Sequence, residues 1–132
     1  MTNIILGKTR IEADTPPYII AEIGVNHEGS LDTAKMLVDQ AKEGGASAAK
    51  FQSYKADTIA SRHSPAYWDL TKESTTNQHD LFKKHDSFGE QEYVALAEHC
   101  QTAGIDFLST PFDDRAIDFL TPLMPFFKIA SA

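Results

Sequence analysis

The chain has 132 residues, an apolar fraction of 42% and a formal net charge of −7. That length supports one compact domain with its own core, and that composition excludes a disordered chain. The acidic balance argues against a nucleic-acid binder held by general electrostatics, because phosphate backbones demand a basic surface.

Residues 1–16 read as a lead-in with a short strand pair at Ile4–Leu6 and Thr9–Ile11. No apolar run approaches the roughly 18 residues of a membrane span. The N-terminal stretch has no small-residue cleavage pattern of a signal peptide. The expectation is a cytoplasmic protein with no nucleic-acid and no membrane partner. The first clear strand covers 18–25, with Tyr18, Ile19, Ile20, Ala21, Ile23 and Val25 as its apolar residues. Glu22 sits inside that run. Burying even a neutral polar group without a partner costs about 2–7 kcal/mol, so a carboxylate here needs a specific reason. Asn26 to Ser30 form a loop, with Ser30 at an N-cap position. Leu31, Ala34, Leu37, Val38 and Ala41 then follow helical spacing. Gly44-Gly45 stops that helix.

SAAKFQSY, 47–54, reads as a second strand. Residues 55–88 are long and polar, with short helical turns expected near Pro65–Leu70 and Gln78–Lys84. A segment of that length without clear periodicity is usually functional or an insertion. A stronger helix covers 89–103, with Val94, Leu96, Ala97 and Cys100 toward the core and Gly104 as its stop. Cys100 is the single cysteine. It permits no disulfide within the chain and no zinc cluster, and is expected to pack as a small apolar residue. IDFLST, 105–110, is a third strand, followed by a short helix that ends before Pro122. FFKIAS, 126–131, reads as a fourth strand.

The order β-α-β-(insert)-α-β-α-β predicts an α/β fold of parallel strands with helical crossovers. Four such strands suit a small doubly wound sheet or half of an eightfold barrel. Because the chain stops right after a strand, a cut inside a larger barrel is the expectation.

Polar residues gather toward the C-terminal ends of these strands, where parallel α/β folds bind ligands. The first has Glu22, Asn26 and His27, the second Lys50 and Gln52, the third Ser109 and Thr110, the fourth Lys128 and Ser131. Two lysines and several hydroxyls on an acidic protein describe a local anion site. A structural reading stands beside the functional one. A lone Lys50 can carry its head to solvent, and Glu22 with Lys50 can form an ion pair of small net value. His27 alone reads as a hydrogen-bonded loop residue. His63, His79, His85 and His99 show no ligand spacing and read as surface. Tyr67 and Trp68 read as a packing cluster under the insert rather than a sugar platform.

AEIGVNHEGS (21–30), KFQSYKADT (50–58), FLSTPFD (107–113) and KIAS (128–131) together resemble the N-terminal half of the sialic acid synthases. That family makes N-acetylneuraminic, legionaminic and pseudaminic acids. The resemblance implies about half of a TIM-type (β/α)8 barrel over 1–132, with an insert at 55–88. The later strands and a C-terminal antifreeze-like domain lie outside this chain. It implies a transferase of carbohydrate biosynthesis that condenses phosphoenolpyruvate with an N-acetylated hexosamine and releases phosphate. Glu22 corresponds to the family's catalytic carboxylate. Lys50, Thr110, Lys128 and Ser131 correspond to phosphoenolpyruvate contacts, with Gln52, Asn26 and His27 in supporting roles. A divalent metal, manganese or magnesium, is implied, with ligands on later strands that this chain does not contain. The expectation is therefore a substrate-binding half that is inactive alone and self-associates to cover its open edges. The alternatives are a non-catalytic half barrel that binds only an anion, or another phosphosugar or aldol-type barrel enzyme.

Overall fold

The computed structural model describes residues 3–131. An antiparallel hairpin of β1 (Ile4–Leu6) and β2 (Thr9–Ile11) leads in, as the sequence predicts. Gly7 supplies the positive φ, 60°, that its two-residue turn requires. The body is a parallel sheet in the order β3 (Ile20–Gly24), β4 (Ala48–Ser53), β5 (Asp106–Pro111). α1 (Leu31–Glu43) joins β3 to β4. α2 (Ala56–Ile59), α3 (Gln78–Lys84) and α4 (Glu90–Ala103) lie between β4 and β5, and α5 (Asp114–Leu120) follows β5. This is the α/β class that the alternation predicts.

The helix ends follow from local chemistry. The Ser30 hydroxyl accepts from the Thr33 N–H at 3.1 Å and starts α1. Asn77 and Asp113 do the same for α3 and α5. Gly104 ends α4 with φ 75°, a left-handed cap.

The strands alternate between two faces. Ile23, Ala49, Phe51 and Phe107 face the helices and form the core with Ala34 and Val38 of α1 and Tyr93, Leu96 and Cys100 of α4. Cys100 is fully buried, as expected, and burial pushes its thiol up to about 12. The α4 face differs from the expected one. Val94 is exposed, and Tyr93 takes the core position in its place, three residues before Leu96.

Two expectations fail here. Residues 126–131 form no strand, and Phe127 and Ile129 stand exposed. An apolar run becomes a strand only where a neighbouring ladder accepts it, and β5 gains no second partner among the described residues. Pro65–Leu70 is not helical either. Pro65 pairs with Asn77 in an isolated antiparallel bridge, which closes the segment into a braced loop. No helix among the described residues is long and apolar enough to cross a membrane.

Candidate active site

On the sheet face opposite α1 and α4, period-two alternation brings Glu22, Lys50, Gln52 and Thr110 to one side. Glu22 pairs in register with Lys50, and Gln52 with Thr110. A bulge between Glu22 and Gly24 re-aims the end of β3, with Gly24 at φ 58°. These four residues, together with Lys128 and Ser131, line one cleft of about 590 Å³. The structure thus brings together six of the nine strand-end polar residues singled out from the sequence, although the segment carrying Lys128 and Ser131 is irregular; Ser109 is turned to the other face, where its hydroxyl meets that of Ser53 at 2.6 Å.

Of the ion pair in this set, Lys50 and not Glu22 is the buried member. Lys50 is 8% exposed. Its ammonium meets the Glu22 carboxylate and lies 3.5 Å from the Thr110 hydroxyl. The Glu22 side chain is 54% exposed to the cleft. So the carboxylate is not in a dry environment, because its face of the strand opens on the cleft. An ammonium has three N–H donors. Lys50 commits one to Glu22 and makes one contact to Thr110 at the weak end of hydrogen-bond length. Capacity remains for an anion. Lys128 also lines the cleft, and among the described residues its ammonium donates only to the neighbouring Ile129 carbonyl, at 2.5 Å.

Asn26 and His27 are not brought to the cleft. Asn26 is exposed in the β3–α1 turn. His27 is 1% exposed and lies behind the site, stacked on Phe88 with ring centroids 3.9 Å apart. The Gly29 N–H donates to its Nδ1 at 3.1 Å, so the ring proton sits on Nε2. That buried Nε2 has no partner among the described residues.

The other wall of the cleft comes from the 55–88 segment, through Ile59, Tyr67, Leu81, Phe82 and His85, and from Tyr54 and Phe112. Reading His85 as surface missed this. On α3 and its cap, Leu81 and Phe82 precede His85 by four and three residues, the two spacings that bring side chains together on a helix surface. His79 is not surface either. It is 6% exposed, with Nε2 on Asp57 at 2.7 Å and Nδ1 on Asp80 at 3.3 Å. Only the protonated ring can donate from both nitrogens.

The two buried histidines carry opposite pH signatures. Burial, then repulsion from His85, lowers the His27 pKa from 6.5. The unfolded chain therefore binds a proton that the native ring refuses, and stability falls as pH drops below 6.5. The hydrogen bond to Asp57, then that to Asp80, raises the His79 pKa, with burial and then Arg62 opposing. Lys83 also faces Asp57, at 3.9 Å. The His79 contribution is complete below 6.5 and is lost as pH rises through the raised value. Urea unfolding of the wild type and His79→Gln from about pH 5 to 8 checks this. The variant should lose the decline on the alkaline side and keep the one on the acid side. An identical pH profile for both would remove His79 from the account.

Among the described residues no group of three or more His, Cys, Asp or Glu side chains is placed to hold a metal ion. Glu22 and His85 are the two such residues lining the cleft. The described residues therefore do not fit the divalent metal that the resemblance implies.

The NeuB family model matches residues 37–132. The chain belongs to the NeuB family. Its relatives include the N,N'-diacetyllegionaminic acid synthase of Legionella pneumophila, 42% identical over 80% of this chain and 30% of that protein. The human N-acetylneuraminate-9-phosphate synthase is 38% identical over 88% of this chain and 33% of its own length. The chain spans about a third of the length of these relatives. Among solved structures, the N-acetylneuraminic acid synthetase of Leptospira borgpetersenii, in complex with citrate, superposes with a TM-score of 0.70 at 30% identity. That match covers 92% of this chain and 38% of the synthetase. The sequence resemblance to sialic acid synthases thus holds for a NeuB chain whose homologues make sialic, legionaminic and pseudaminic acids.

Proposed function

We propose that this chain forms the phosphoenolpyruvate face of a nonulosonic acid synthase. The observation that carries the reading is Lys50. It is a buried ammonium with unused donor capacity, in the middle of the central parallel strand, on one cleft with a second lysine and two hydroxyls. A small, dense anion suits that set, because each N–H or O–H contact to a charged oxygen is stronger than a neutral one.

In this reading Lys50, Thr110, Lys128 and Ser131 hold the carboxylate and phosphate of phosphoenolpyruvate. C3 forms a bond to the aldehyde carbon of an N-acetylated hexosamine, and the aldehyde oxygen takes up a proton. Positive charge develops at C2. Glu22, exposed on the same face, supplies the opposite charge there and receives the proton of the water that adds to C2. The adduct's C2–O bond to phosphate then breaks, the C2 hydroxyl proton passes to the departing phosphate, and a ketone remains. Gln52 offers an amide to a hydroxyl of either substrate. The remaining sugar contacts and the metal-binding part that complete such an enzyme are assigned to the parent synthase.

Calorimetric titration of the chain with phosphoenolpyruvate tests the anion site. Saturable binding at one site is expected. No heat beyond dilution at millimolar ligand would overturn the reading.

A further inference from the structure

Tyr67 is 75% exposed at the edge of the cleft. A singly exposed aromatic carries no message by itself. Tyr67 differs in how firmly it is held. Its ring packs edge-on against Trp68, with centroids 5.1 Å apart and planes at 73°. Trp68 is half-buried, and its indole N–H donates to the Thr75 carbonyl at 3.1 Å. The two arms of the loop are tied together next to it. The Ala66 N–H donates to the Thr76 carbonyl at 3.1 Å, and the Gln78 side chain to the Pro65 carbonyl at 3.0 Å. Lys84 pairs with Glu73 at 2.9 Å on the far arm. A braced loop thus presents a rigid ring to the cleft while leaving most of that ring wet.

The cleft also has more room and more apolar wall than phosphoenolpyruvate uses. Its volume of about 590 Å³ falls in the range of sites for larger ligands. Ile59, Leu81 and Phe82 line the same cleft as Tyr67, with His85 as a polar member. An apolar wall with one hydrogen-bonding group matches a sugar, whose C–H face is apolar and whose rim is hydroxylated.

We infer that Tyr67 is a stacking platform for the acylated sugar and that Trp68 positions its ring. This deepens the proposed function and rests on it, since it assigns the second substrate of the same cleft to the 55–88 wall. The two rings pack on each other as the sequence suggests, but Tyr67 keeps most of its surface open to solvent, and that open surface is what a platform needs.

The test is titration of the chain with N-acetylmannosamine, followed by NMR chemical shifts, with phosphoenolpyruvate binding measured in parallel. Tyr67→Ala should weaken sugar binding by about three- to tenfold, the worth of one aromatic contact. Tyr67→Phe should stay within about twofold of wild type, because the ring face and not the hydroxyl is used. All three proteins should bind phosphoenolpyruvate equally. The inference is overturned if Tyr67→Ala binds sugar as wild type does, if Tyr67→Phe is as weak as Tyr67→Ala, or if the wild type binds no sugar. Loss of phosphoenolpyruvate binding by the wild type would instead sink the anion-site reading. Ring-dependent sugar binding in that case would leave the platform standing.

Discussion

Replacing Lys50 by alanine is expected to weaken phosphoenolpyruvate binding by about 10- to 100-fold. A hydrogen bond to a charged group is worth about 1.5–3 kcal/mol, and each 1.4 kcal/mol is tenfold in affinity. The fold should survive the change. Lys50 pairs with a carboxylate that is itself 54% exposed, so its removal leaves Glu22 with access to water rather than stranded. It also removes the desolvation cost of a buried ammonium. Calorimetry would measure the affinity, and urea unfolding the stability, of the same preparation. A variant that binds like the wild type would show that the anion does not use Lys50. Lys50→Arg would not restore full affinity, because the planar guanidinium is larger and differently shaped than the compact ammonium that fits among Glu22, Gln52 and Thr110.

Much of this site was legible in the sequence because a parallel strand has a simple rule. Polar residues two apart on β4, Lys50 and Gln52, must share a face, and Ala49 and Phe51 must share the other. The register then fixes which neighbours meet them. What a strand pattern cannot say is whether the polar face is covered. Glu22 looked misplaced in an apolar run, yet its side of β3 opens on the cleft while Ile23 points into the core.

The residues that were missed depend on contacts distant in sequence. His27 follows a strand in a polar turn, and nothing in NHEG indicates that Phe88, 61 positions later, stacks on its ring. His79 is buried by a carboxylate on α2 and another on its own helix. A spacing rule for metal ligands is blind to such pairs. The segment 126–131 failed for the converse reason. Its composition suits a strand, but a ladder needs a partner as well as a suitable sequence.

The largest stability effect should come from Phe51→Ala. Phe51 is fully buried on β4, the strand with neighbours on both sides. Its ring lies 5.9 Å from that of Phe107 and 6.1 Å from that of His27. Truncating a buried Phe costs about 3–5 kcal/mol, the lost transfer energy plus the cavity left behind. Against a total of about 5–15 kcal/mol, that is enough to unfold a marginal domain. The cavity cannot close easily, because both neighbouring strands are fixed by their ladders to β4. It would also leave the neutral His27 ring with one aromatic neighbour fewer, on the turn that follows Glu22. Val94→Ala, on the exposed side of α4, should change stability by no more than about 0.5 kcal/mol. Urea unfolding of the two variants gives the comparison. A Phe51→Ala loss as small as that of Val94→Ala would mean that the core does not close around β4.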